Sequence, residues 1–98
     1  MSDMFGELQA EAPISQGMLE GSIKFCEKGF IYEGPGINGK VYSYYRYLER
    51  LDQLSQPFLG KIDVRMIFFS TLGERFDVRF SINEHFYHEM KSRKEKEV

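Results

Sequence analysis

The chain has 98 residues, of which 42% are hydrophobic and 15% aromatic, and its formal net charge is −2. This length accommodates one domain with a single core, and it excludes a protein kinase or a complete dinucleotide-binding enzyme. The acidic balance argues against binding to the nucleic-acid backbone, which normally needs a basic face.

The first 17 residues are acidic and rich in small side chains, and Pro13 blocks a continuous helix across them. We predict an acidic, partly disordered N-terminal tail over 1–17, or a loose first strand around 14–19. A single domain then occupies 18–94, and a charged end covers 95–98. Short strands are predicted over 22–27 and 29–33, where apolar and polar residues alternate.

The clearest pattern lies in the two segments 61–69 and 74–82, where apolar side chains alternate with charged ones. Such alternation predicts an antiparallel hairpin with one buried and one solvated face. If Gly73 has a positive φ and ends a three-residue loop, Ser70 pairs with Glu74 and Phe68 lies opposite Phe76.

After this hairpin the periodicity becomes helical. Asn83 is a suitable N-cap, and Phe86, Tyr87 and Met90 follow at helical spacing before the chain becomes wholly charged. We predict a helix over about 84–94 that packs its apolar stripe against the sheet.

The segment 41–56 has two interpretations. Residues 41–47 alternate as a strand does, but 43–55 also fit a helical repeat with Pro57 as its stop. Strand is favoured through Tyr47, because tyrosine clusters prefer strands and Asn38-Gly39 is a hairpin turn signal. The predicted fold class is mainly β with a C-terminal helix, a bent antiparallel barrel or sheet capped by that helix. The alternative is an α+β two-layer sandwich with an additional helix at 43–55.

The glycines at 34, 36 and 39 have the spacing G-x-G-x-x-G. In a dinucleotide site a helix begins at the third glycine, whereas Lys40 and Val41 here resemble the start of a strand. A hairpin loop is therefore favoured over a phosphate-binding loop.

Catalytic and metal chemistry find little support in the sequence. His85 and His88 lie three residues apart without an evident third ligand, and Cys26 lacks an evident base, so it is predicted to be a core or strand-edge thiol. We predict a non-enzymatic protein without a metal or cofactor. As the single cysteine cannot form an internal disulfide and the start lacks signal-peptide features, we expect a cytoplasmic location.

Three segments resemble a known superfold. The opening GSIKFCEKGFIYEG, the hairpin IDVRMIFFSTLGERFDVRF and the helix NEHFYHEM are similar, in this order, to pleckstrin-homology-like domains, including GRAM-type members, over roughly 21–93. The resemblance implies a bent antiparallel barrel of seven strands, closed at one end by the helix. It also implies a scaffold that binds lipid headgroups, peptides or proteins.

The tyrosine-rich segment is the leading candidate for a binding surface. If Ser43, Tyr45 and Tyr47 point inward, then Tyr42, Tyr44 and Arg46 form an outward strip of the residue types that supply interface hot spots. We therefore expect a binding module that engages a protein partner, or itself as a homodimer, through this strip and an exposed sheet edge. The alternative for the strip is that these rings cover the protein's own sheet.

Two other functions remain open. Lys24, Lys28 and Lys40, with the basic end of the helix, could bind an anionic lipid headgroup at a membrane surface. The chain could also be a compact inhibitor of a larger machine, as small phage-encoded or plasmid-encoded proteins often are.

Overall fold

The fold consists of seven antiparallel strands followed by one helix, as seen in a computed structural model that describes residues 5–96. The strands are β1 (Leu8–Gln16), β2 (Leu19–Cys26), β3 (Gly29–Glu33), β4 (Lys40–Tyr44), β5 (Leu48–Gln53), β6 (Lys61–Phe69) and β7 (Arg75–Asn83). A 3₁₀ turn (Tyr45–Tyr47) joins β4 to β5, and the helix α1 spans Glu84–Lys96. This arrangement confirms the predicted fold class.

The strand order in the sheet is β4-β3-β2-β1-β7-β6-β5, so β4 and β5 are its two edges. These edges are nevertheless consecutive in the chain, joined by the three residues Tyr45–Tyr47. Because so short a connection keeps the end of β4 close to the start of β5, the sheet must curl until its edges approach each other. It stays open, since β4 and β5 do not pair.

The β6–β7 hairpin has the predicted register. Phe68 pairs with Phe76, the amide of Ser70 donates to the carbonyl of Glu74 at 2.8 Å, and Gly73 has a φ of +92°. The inward side chains of the hairpin are buried and the charged ones face outward, as the alternation requires. The core is continuous across the curled sheet and includes Phe25, Phe30 and Tyr32 from the other strands.

The N-terminal tail predicted over 1–17 is wrong for residues 8–16. They form β1, which lies between β2 and β7 and pairs with β2 from Leu8 to Gln16. Ala12 and Ile14 point into the core, but the small, weakly β-forming alanines made the alternation hard to detect. Residues 1–4 of the predicted tail lie outside the described part of the chain.

A proline inside this central strand is tolerated because the pairing with β7 covers only Ile14 and Ser15. Gln16 and Leu19 close a two-residue hairpin and form a hydrogen-bonded pair. Hydrogen-bonded and non-hydrogen-bonded pairs alternate along an antiparallel ladder, so Pro13, three residues before Gln16, lies in a non-hydrogen-bonded pair with β2. The nitrogen of Pro13 therefore points away from β2, toward the place where the pairing with β7 has ended. Its missing N–H removes no hydrogen bond from the sheet.

The alternative helix over 43–55 is wrong. Only Tyr45–Tyr47 are helical, as a single 3₁₀ turn, and Leu48–Gln53 continue as the edge strand β5. The predicted strand ends at Tyr44 rather than Tyr47. Local propensity did not distinguish a strand from a helix in this segment. The segment is a strand because β5 pairs with β6, which contributes the buried Met66 and Phe68.

The glycine-rich segment 34–39 connects two paired strands, with Glu33 opposite Lys40. The connection is longer than a tight Asn-Gly turn, and the amide of Ile37 donates to the carbonyl of Gly34 at 3.2 Å within it. The segment leads into β4 and not into a helix. It therefore lacks the helix N-terminus to which a dinucleotide-binding loop delivers a pyrophosphate.

The helix begins where the sequence predicted and ends two residues later, at Lys96. The side-chain oxygen of Asn83 accepts the amide of His85 at 2.9 Å, which is the expected N-cap contact. Tyr87 and Met90 are buried and Phe86 packs against the core, which confirms the apolar stripe. Of the charged end predicted over 95–98, residues 97–98 lie outside the described chain.

Candidate functional site

Strand β4 presents two tyrosines on the outer face of the sheet. Val41 and Ser43 are buried, while Tyr42 and Tyr44 are half-buried on the opposite side. The Ser43 hydroxyl donates to the carbonyl of Phe69 at 2.7 Å, which ties β4 to the end of β6. Tyr42 and Tyr44 therefore lie on the face that the alternation assigned to them, on an edge strand of the sheet.

The 3₁₀ turn then breaks the alternation. Tyr45 is buried, Arg46 is exposed, and Tyr47 is half-buried on the same side as Tyr44, with ring centroids 5.2 Å apart. The prediction that Tyr47 points inward with Ser43 and Tyr45 is wrong, because a three-residue helical turn replaces the two-residue period of a strand.

Arg46 stacks on both outer tyrosines. Its guanidinium carbon lies 4.6 Å from the ring centroid of Tyr44 and 5.3 Å from that of Tyr47. We call Tyr44, Arg46 and Tyr47 the Tyr-Arg cluster. Within residues 5–96, Arg46 forms no ion pair with a carboxylate. The cluster thus holds a guanidinium in place by cation–π contacts and leaves its hydrogen-bond donors available.

Part of the predicted strip is covered by the protein's own N-terminal segment. Phe5 is fully buried, and its ring centroid lies 5.7 Å from that of Tyr42 and 5.2 Å from that of Tyr44. The Phe5 carbonyl accepts the amide of Lys28 at 3.0 Å. Gly29 makes room for the ring, since a Cβ there would come within 3.1 Å of Phe5 and 2.3 Å of the Ser43 carbonyl oxygen.

Sequence reasoning missed this contact. The available signal was a single aromatic residue, Phe5, beside Gly6 in an otherwise acidic segment, and it contained no information about where the ring packs. The contact makes Tyr42 largely a structural residue. Tyr44 takes part in both contacts, because its ring touches Phe5 and also lies against the guanidinium of Arg46.

A groove of about 600 Å³ adjoins the Tyr-Arg cluster. Arg46, Tyr47 and Glu49 line one side, and residues 69–73 at the β6–β7 turn line the other. The amide of Thr71 donates to the carbonyl of Tyr42 at 2.8 Å and holds this turn against β4. Leu72 is 86% exposed and contributes an apolar surface to the turn side of the groove. The groove therefore lies at the seam where the two edges of the curled sheet approach each other.

The structure does not gather the three lysines proposed to bind lipid. Lys24 lies opposite Ile31 in the middle of the β2–β3 pair, and Lys40 lies opposite Glu33 at one end of β3. Lys28 lies in the turn at the other end of β3, a strand that is roughly 13 Å long. The lysines thus form no convergent cationic site of the kind that a phosphate group prefers.

The basic helix end is also partly engaged within the protein. The Arg93 guanidinium donates to Glu89 at 2.9 Å, to the Cys26 carbonyl at 3.1 Å and to the Gln9 side chain at 2.8 Å. Its side chain is only 16% exposed. Arg93 therefore joins α1 to β1 and β2, a role that sequence reasoning missed because its partners are distant in the chain.

The tyrosine beside Arg93 is perturbed by burial. The Tyr45 hydroxyl donates to the same Cys26 carbonyl at 2.6 Å, and desolvation raises the pKa of Tyr45 to about 12, against a smaller lowering by Arg93. Burial likewise raises the pKa of Tyr32, whose hydroxyl donates to the Pro35 carbonyl. These shifts are those of neutral, hydrogen-bonded phenols in the core.

The other candidate chemistry is not assembled in the described residues. His88 lies 4.0 Å from Glu84, and residues 5–96 hold no group of three or more His, Cys, Asp or Glu side chains placed to bind a metal ion. The thiol of Cys26 is fully buried. No helical segment within this range combines the length and the apolar content needed to cross a bilayer.

No family model and no curated protein matches this chain.

Proposed function

We propose that this protein is a non-enzymatic binding module, built on a pleckstrin-homology-like plan, that engages a protein partner or another copy of itself through the Tyr-Arg cluster and the adjoining groove. The observation that carries this proposal is the position of the Arg46 side chain. Its guanidinium is stacked on Tyr44 and Tyr47 at the edge of the groove and is not neutralised by a carboxylate of residues 5–96.

The residue types at this surface support binding of a protein. Tyrosine and arginine are enriched among the residues that dominate interface energies, because they combine a large apolar contact area with directed hydrogen bonding. The stacked geometry restricts Arg46 before a partner arrives, so less side-chain entropy is lost on binding. A neighbouring groove with apolar walls supplies the space for a partner side chain.

The seam also offers a backbone edge. Within residues 5–96, β4 and β5 each pair with another strand on one side only, and the amide of Thr71 donates to the carbonyl of Tyr42 at the β4 edge. An extended segment of a partner can add to such an edge. The anionic-lipid hypothesis has weaker support, because Lys24, Lys28 and Lys40 are spread over the two ends and the middle of the β2–β4 region.

The proposal can be tested before the natural partner is identified. A library of randomised peptides would be selected on the wild-type protein and counter-screened on the double variant Arg46→Ser/Tyr47→Ser. These two side chains are chosen because the tyrosine rings that Phe5 touches, Tyr42 and Tyr44, are left in place, so the N-terminal segment should stay in place. We expect enriched peptides that lose binding to the double variant by roughly tenfold or more.

Arg50→Ser is the matched control. Arg50 is an exposed arginine on β5, close in sequence to the cluster, and it pairs with Asp52 at 3.1 Å. Selected peptides should bind this control as they bind the wild type. Equal binding to wild type and to the double variant, or selection of peptides that depend on Arg50 instead, would refute the proposed site.

A further inference from the structure

A second exposed apolar feature lies at the opposite end of β6. The chain reverses through Phe58, Leu59, Gly60 and Lys61, with paired hydrogen bonds of 2.8 and 3.0 Å between the backbones of Phe58 and Lys61. We call these four residues the tip. Phe58 is 75% exposed and Leu59 is 87% exposed, so the tip projects two apolar side chains from the surface.

The backbone of the tip is unusual for its sequence. Leu59 has a φ of +53° and Gly60 a φ of +80°, the signs that define a type I′ turn. Asparagine is the preferred residue at the first of these positions, because a positive φ strains a side chain such as leucine. Leucine at this position lowers stability while 87% of its surface stays exposed, which points to a role outside the folded chain itself.

A backbone hydrogen bond joins the tip to the helix. The amide of Glu84, the first residue of α1, donates to the Gly60 carbonyl at 2.8 Å. This bond also places Glu84 next to the tip, and within residues 5–96 the ion-pair partner of its carboxylate is His88, at 4.0 Å. The tip thus combines two exposed apolar side chains with a neighbouring glutamate at the start of α1.

The groove at the other end of β6 has complementary properties. It is concave, with Tyr47 and Leu72 on its walls, and Arg46 lies at its edge without a carboxylate partner in residues 5–96. Its volume of about 600 Å³ exceeds that of a phenylalanine and a leucine side chain together. Tip and groove are roughly 26 Å apart along β6, too far for contact within one molecule.

We infer that the occupant of the groove is the tip of a second copy of this chain, with Phe58 and Leu59 entering the groove and Glu84 facing Arg46. The inference rests on the proposed function and names its partner. The tip exposes roughly 300 Å² of apolar surface, well below the ~800 Å² that each partner buries in a standard interface. The association is accordingly weak and depends on high protein concentration.

The test is sedimentation velocity of the purified full chain up to millimolar concentration. The wild type should show concentration-dependent association, and Leu59→Asn should weaken it by roughly tenfold or more while the fold stays intact. Arg46→Glu and Glu84→Arg should each weaken it to a similar degree. The double variant Arg46→Glu/Glu84→Arg should recover association, because the two charges are exchanged and still face each other.

Two controls accompany these variants. Arg50→Glu changes the net charge as Arg46→Glu does, but on a side chain outside the groove. Met18→Ser removes a 98% exposed apolar side chain from the β1–β2 turn. Both controls should associate as the wild type does.

Three results would overturn the inference: a wild type that stays monomeric throughout, a Leu59→Asn variant that associates as the wild type does, or a charge exchange that restores nothing. A wild type that stays monomeric but sediments with phosphatidylcholine vesicles through Leu59 would also overturn it, and would assign the tip to lipid. In each case the proposed function is judged separately, because peptide selection on the groove requires no self-association.

Discussion

The phenol of Tyr45 and the guanidinium of Arg93 share one acceptor, the carbonyl oxygen of Cys26, and lie 3.3 Å from each other. Through this acceptor the 3₁₀ turn, the end of β2 and the helix are joined in the part of the molecule behind the Tyr-Arg cluster. The position of Tyr45 determines where Arg46 emerges, since the two residues are adjacent. The buried phenol is thus a support for the candidate site.

Alkaline stability should depend on Tyr45. Burial raises the pKa of its phenol from the ordinary tyrosine value of 10.0 to about 12 in the folded protein. The stabilisation is therefore fully present below pH 10 and is lost as the pH rises from 10 toward 12, by up to about 3 kcal/mol. In Tyr45→Phe this component of the pH dependence of the free energy of unfolding should disappear.

Urea unfolding at a series of alkaline pH values measures this effect. Tyr47→Phe is the control, because it removes a phenolic hydroxyl from a half-exposed ring that is not part of the Cys26 contact. A wild type and a Tyr45→Phe variant that lose stability in parallel above pH 10 would contradict the assignment.

Removal of the Arg93 side chain should loosen the helix. Arg93→Ala eliminates donors to Glu89, Cys26 and Gln9 and should lower the free energy of unfolding by about 2 kcal/mol. Lys91→Ala, at an exposed position of the same helix, should change it by less than about 0.5 kcal/mol. Chemical denaturation compares the two variants, and equal effects would show that the Arg93 contacts add nothing to stability.

Relief of strain at Leu59 should stabilise the protein. Leu59→Asn places a residue that tolerates a positive φ at the first turn position and should raise the free energy of unfolding by about 1 kcal/mol. Leu72→Asn is the matched control, since Leu72 is equally exposed in a turn but has no positive φ. The melting temperature should rise only for the first variant; a rise of equal size in both would indicate a general effect of surface polarity.

Truncation of Phe5 should release the N-terminal segment. Phe5→Ala removes a fully buried ring and should cost up to about 3 kcal/mol of stability. Hydrogen exchange should increase at the amides of Lys28 and Glu27, which donate to the carbonyls of Phe5 and Glu7. Leu8→Ala, at a half-exposed side chain nearby, should leave these amides protected. Unchanged exchange at both amides in Phe5→Ala would show that the ring does not hold this segment.

The candidate site was only partly predictable. Alternation placed Tyr42 and Tyr44 on the outer face correctly, because the strand period operates over a few residues. The inward prediction for Tyr47 failed at the 3₁₀ turn, which forms because the chain must pass from one edge of the sheet to the other in three residues. Phe5 covers Tyr42 through a contact between residues far apart in sequence. A single aromatic residue in the sequence does not indicate which distant side chain it packs against.

Local chemistry determined the mainly β class, the β6–β7 register with Gly73 in its turn, and the helix start at Asn83, because alternation, turn residues and caps act between close neighbours. The tertiary structure alone decided that residues 8–16 form a central strand and that 48–53 form an edge strand. It also decided which tyrosines are covered and where Leu59 is strained. These features depend on pairing between distant segments, whose energies outweigh weak local preferences.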